Sequence, residues 1–128
     1  MPTFGATISG FVRADDLDIV RTINGVPSGQ ALTDAYMTVK DLGGSQIFQK
    51  HITGTLVVGQ GQITDDGAGD GIAAVRFELT GGASGDTTQL AAGTAYNYDI
   101  QVNTNASPAK RYTPETGTIT TQEQYTVV

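Results

Sequence analysis

The side chains of this chain that could carry chemistry are few, and their spacing limits what they could do. The acidic run Asp65-Asp66-Gly67-Ala68-Gly69-Asp70-Gly71 sets Asp66, Asp70 and Gly71 at positions one, five and six of a calcium-loop frame. Ala68 occupies the third position and Phe77 the twelfth, where a bidentate Glu would close the frame. Two carboxylates are too few ligands, so the run reads as a solvated turn. His51 is the only histidine, between Lys50 and Ile52. Nucleophilic catalysis would need a hydroxyl beside it and a carboxylate to orient it, and no Gly-x-Ser-x-Gly elbow surrounds any serine. Asp15-Asp16 and Asp65-Asp66 are carboxylate pairs, but neighbours on a strand point to opposite faces and cannot share a substrate. Gly43-Gly44, Gly59-Gln60-Gly61 and Gly81-Gly82 are not followed by Gly-Lys-Ser or Gly-Lys-Thr and precede no helical pattern, so they read as hairpin and bulge glycines. Asn105-Ala106-Ser107 fits a glycosylation acceptor and, with no secretory leader expected, reads as incidental. The expectation is a chain with no catalytic residue, no metal site and no cofactor.

A further class of chemistry is stacking. Tyr96, Tyr98, Tyr112 and Tyr125 could build an aromatic platform for a sugar, but Tyr96 and Tyr98 share the apolar face of one strand and are better used as core. That leaves Tyr36, Tyr112 and Tyr125 for the alternative function, a carbohydrate-binding or adhesion module working on a host surface.

The elements that must position these residues are strands. Residues 93–103 carry the cleanest period-two signal: Tyr96, Tyr98, Ile100 and Val102 on one side, Asn97, Asp99, Gln101 and Asn103 on the other. This pattern predicts a central strand of an antiparallel sheet. Residues 72–80 alternate likewise, with Ala73, Val75, Phe77 and Leu79 inward, and residues 34–41 place Ala35, Met37 and Val39 inward. Residues 11–23 predict one or two strands with Leu17, Ile19 and Ile23 on one face, Arg21 breaking the alternation. Residues 46–52 predict an edge strand: Ile47 and Phe48 would occupy opposite faces, which a bulge or an edge position would accommodate. Leu56-Val57-Val58 and Gln62-Ile63-Thr64 predict a small hairpin, and residues 110–113 and 117–120 two final strands. Asn24-Gly25 and the other Gly-rich stretches supply the turns. About seven evenly spaced strands make an all-β antiparallel sandwich. It is expected to occupy residues 11–128, with residues 1–10 an N-terminal arm or edge strand.

Composition agrees and excludes partners. Seventeen glycines and 38% hydrophobic residues in 128 suit a thin two-layer core. A net charge of −6 repels a phosphate backbone, so no nucleic-acid partner is expected. Zero cysteines exclude disulfides and thiolate chemistry. The start Met1-Pro2-Thr3-Phe4-Gly5 has neither a basic flank nor an apolar run, and no apolar stretch approaches the ~20 residues of a spanning helix. No membrane partner is expected.

Four stretches in order carry a resemblance. They are residues 11–17 (FVRADDL), 32–41 (LTDAYMTVKD), 92–102 (AGTAYNYDIQV) and 117–120 (GTIT). Together the chain is similar to the small immunoglobulin-like β-sandwich domains of tailed bacteriophages, such as the N-terminal domain of baseplate upper proteins. The resemblance implies a non-enzymatic virion structural component, in the capsid (as decoration or cement), neck, tail or baseplate. Such a component binds other virion proteins or further copies of itself and is assembled in the host cytoplasm. It departs from the family at Ala14, where a Gly is usual after the Arg, and in residues 53–71, which are longer and richer in Gly than the usual connection. The end at Val128, without a helical or fibrous extension, suits a stand-alone subunit rather than a fused fibre anchor. Residues 1–10 and 59–71 are the expected docking segments.

Overall fold

The computed structural model describes residues 3–123, and in them strict alternation produces the strands at the centre. β7 (Ala95–Thr104) buries Tyr96, Tyr98, Ile100 and Val102, and β6 (Ile72–Leu79) buries Ala73, Val75, Phe77 and Leu79. β3 (Leu32–Lys40) buries Ala35, Met37 and Val39. Around these lie β1 (Thr3–Val12), β2 (Leu17–Asn24), β4 (Gln46–Ile52), β5 (Gly61–Asp65) and β8 (Arg111–Gln122). The only helical turn among the described residues is a single 3-10 turn at Thr87–Gln89.

Five strands form one sheet in the order β1-β8-β7-β3-β4, and three form the other in the order β2-β6-β5. Phe77, Met37, Ile52, Leu79, Leu90, Ile100 and Ile119 fill the space between them, each essentially inaccessible to water. The chain is therefore an all-β sandwich, and the orders β4-β3-β7-β8 and β2-β6-β5 are those of an immunoglobulin-like topology.

The structure departs from the sequence reading in several places. Among the described residues there are eight strands, the first of them β1 over residues 3–12 at the edge of its sheet, within the segment expected to be an arm or an edge strand. β1 pairs β8 in parallel, so the five-stranded sheet is not purely antiparallel. Its register slips by one residue at two places, with Gly5 and Gly10 beside them at φ +72° and +80°, which an L side chain rarely adopts. Residues 110–113 and 117–120 are not two strands. From Arg111 on they belong to the one strand β8, whose pairing with β7 shifts between Ile100 and Val102, beside Pro114, which has no N–H to give a ladder. Gly61–Asp65 is the edge strand β5 rather than part of a free loop, so the expected docking segment 59–71 is partly built into the sandwich. Val57 does bridge Gly61 in a tight hairpin before it.

β4 lies at the edge of its sheet with a shift between Val39 and Lys40, which turns Phe48, Lys50 and Ile52 inward and leaves Ile47 half-buried. Ala14 sits at φ +73°, between β1 and β2, and its carbonyl accepts the Gly82 N–H at 2.8 Å. Ala14 thus occupies a left-handed turn, a conformation that Gly adopts without steric cost.

Candidate functional site

Among the described residues β2 closes one rim of the three-stranded sheet and pairs only with β6. Across the sandwich, β1 joins β8 only from Glu115 onward, so residues 111–114 of β8 have a free edge among the described residues. Between these two bare edges the layers gape into a cleft of about 280 Å³. Leu32, Ile100 and Val102 are core residues that also line this cleft, with Ile23 and Val26 on the β2 side and Tyr112 and Pro114 on the β8 side.

Arg21 lines the same cleft. It does not break the alternation of β2: it takes the inward position between Ile19 and Ile23 and reaches across the gap to β8. Its Nε donates to Glu115 Oε1 at 2.8 Å, and its Nη1 returns to the Val20 carbonyl at 3.0 Å. Glu115 is buried and also accepts from the Tyr98 hydroxyl. The three side chains tie β2, β7 and β8 together across both layers. Burial, with the Glu115 carboxylate at the hydroxyl, pushes the Tyr98 phenol up to about 12. Burial works against the charge of Arg21, but hydrogen bonding and attraction to Glu115 outweigh it and raise its already high pKa. The triad offers one fixed cation beside an apolar slot, an arrangement suited to seating an extended segment or an apolar side chain.

The residues singled out in the sequence are dispersed. Asp65, Asp66 and Asp70 each accept a backbone N–H two residues on, from Gly67, Ala68 and Ile72, at 2.9–3.0 Å. Their carboxylates hold the turn, and among the described residues no three His, Cys, Asp or Glu side chains converge on a point that could hold a metal. His51 Nε2 donates to Asp34 Oδ1 at 2.7 Å, and its ring stacks on Tyr36, ring centroids 4.5 Å apart and 6° from parallel. It lies on the outer face of β4, away from the cleft. Asp16 Oδ1 accepts the Gly81 N–H at 2.6 Å, and the Asp15 carbonyl accepts the Thr87 hydroxyl at 2.7 Å, so this pair ties two loops together. Asn105 Oδ1 accepts the Ala31 N–H. Of the tyrosines, 96 and 98 are core, 112 is 42% exposed beside the cleft, and 125 lies outside the described residues.

Sequence reasoning missed Arg21 and Glu115 as partners. The signal was present as a basic residue at an inward position of β2, but its anion is 94 residues away. Among the described residues no helix is long and apolar enough to cross a membrane. Comparison with protein-family models, with curated proteins and with solved structures finds no match to this chain.

Proposed function

We propose that this chain is a non-catalytic structural subunit that works by protein–protein contact along the rims of its sandwich. The assembly suggested by the sequence resemblance is the virion of a tailed bacteriophage. The observation that carries the reading is the gap between β2 and β8: two strand edges, unpaired among the described residues, flank an apolar slot, the features by which a sheet accepts an extended segment of a neighbour. Exposed apolar side chains lie elsewhere on the surface, with Val58 87% exposed and Leu56 and Val57 about half exposed in the hairpin before β5. In a multicopy particle, modest contacts at such rims add up through avidity. The dispersal of His51, the aspartates and the tyrosines supports contact rather than catalysis.

Quantitative mass spectrometry of gradient-purified particles from a host carrying the encoding phage tests the proposal. The chain should be present in a fixed ratio to the major capsid or tail protein. Its absence from particles, with abundant protein in the lysate, refutes the virion role. A glycan-array signal that disappears on Tyr112→Ala would favour the adhesion module instead.

A further inference from the structure

On the opposite side of the sandwich from the cleft, an amine and a carboxyl group meet out of water. Lys50 points inward from β4 between Phe48 and Ile52, its side chain 4% exposed. Its Nζ donates to the Gly59 carbonyl at 2.7 Å and lies against Oδ2 of Asp86, whose side chain is 12% exposed. Asp86 follows β6 in the connection to β7. The same Oδ2 accepts two further donors, the Thr80 backbone N–H at 2.9 Å and the Thr80 hydroxyl at 3.1 Å. Thr80 Oγ1 in turn accepts the Asp86 N–H at 3.2 Å, so the carboxyl group is held from two directions.

We propose that Lys50 and Asp86 condense to an intramolecular amide. A proton passes from the ammonium to the carboxyl group and comes to rest on Oδ1, and the freed lone pair on Nζ attacks Asp86 Cγ to form the C–N bond. Charge then develops on Oδ2, where the Thr80 N–H and hydroxyl already point, in the manner of an oxyanion hole. The C–Oδ1 bond breaks, a second proton leaves nitrogen, and Oδ1 departs as water. An ammonium and a carboxylate become one neutral amide and one water, with no oxidant, reductant or co-reactant. Holding the two groups in contact supplies the proximity that an intermolecular condensation lacks, and burial denies the product the water that would hydrolyse it.

The bond would join the edge strand β4 of the five-stranded sheet to the segment leaving β6 of the three-stranded sheet. In a chain with zero cysteines it would do the work of a disulfide, closing the rim that the cleft leaves open on the other side. It also removes the penalty of keeping two opposite charges buried.

Intact-mass spectrometry of the purified full-length chain tests this. Each variant is compared with its own sequence mass, so that N-terminal processing cancels between them. The folded wild type should read about 18 Da low, the mass of one water lost on covalent cross-linking. Lys50→Arg and Asp86→Ala should each read the full mass. Trypsin should leave one branched peptide joining residues 41–76, uncut at Lys50, to residues 77–110. The branched peptide matters because an Asp-Gly succinimide at Asp66 or Asp70 would also lose water, but would leave Lys50 cleavable. A wild type at full mass, with Lys50 cleaved in the denatured digest, overturns the proposal and leaves a buried ion pair only. A deficit that persists in Lys50→Arg overturns it too.

Discussion

Replacing Arg21 with Met removes the cation from the cleft and leaves Glu115 a buried carboxylate whose remaining partner is the Tyr98 hydroxyl. Breaking a fully buried pair costs about 3–5 kcal/mol, because the surviving charge is stranded. Here the Arg21 side chain is 33% exposed against 11% for Glu115, so water entering the cleft recovers part of that solvation. The discounted expectation is about 2 kcal/mol, a sizeable share of the roughly 5–15 kcal/mol that holds a domain of this size. With a urea m-value of about 2 kcal/mol/M, the midpoint should fall by about 1 M. Adding Glu115→Gln to Arg21→Met removes the stranded charge while keeping the side chain's shape, and should restore about 1 kcal/mol of the loss. Equilibrium urea unfolding of the wild type, both singles and the double, followed by tyrosine fluorescence and circular dichroism, gives the full cycle. The reasoning is refuted if Arg21→Met lies within about 0.5 kcal/mol of wild type, or if the double is as unstable as the sum of the singles.

Three further outcomes follow from single positions. The Tyr98 phenol is held near 12 in the folded chain against about 10 unfolded, so its contribution is complete below pH 10. As pH rises from 10 towards 12 the unfolded chain releases the proton and the folded chain does not, and about 2 kcal/mol or less is lost after solvent screening. An ultraviolet titration should show one tyrosine ionising near 12, absent in Tyr98→Phe. Ala14→Gly relieves a left-handed turn at φ +73° and should raise stability by about 0.5–1 kcal/mol, read as a higher melting temperature. At Gly117 a Cβ would collide with the Ala6 backbone carbonyl, so Gly117→Val should force β1 from β8 at a cost of about 2 kcal/mol or more. Faster amide exchange in residues 3–8 than in the wild type would report it.

β6 and β7 are legible in the sequence because each has a core on one face and polar surroundings on the other, so side-chain type alternates with the pleat. β8 is not, because Pro114 and the bulge beside it interrupt the alternation that would join its two halves. β1 is obscured by Gly5 and Gly10, which shift its register twice and leave Ile8 and Phe11 as its buried anchors. The candidate site is the least legible part. Arg21 violates a pattern of apolar inward residues, and the reason lies on a distant strand, where Glu115 sits amid threonines and a proline. Lys50 presents the same difficulty, since a basic residue on an edge strand is ordinarily a solvated one. Its inward turn depends on Asp86 and Gly59 arriving from other parts of the chain. Polar groups paired across the layers leave no periodic trace, whereas apolar ones do.

Hydrogen–deuterium exchange on the chain alone and within purified particles tests most directly whether the open rim is the contact surface. In the free chain the amides of Leu17–Asn24 that point away from β6 should exchange quickly, and in the particle they should be protected together with those of residues 111–113. Identical exchange at both edges in the two states, with protection arising elsewhere on the surface, would contradict the account.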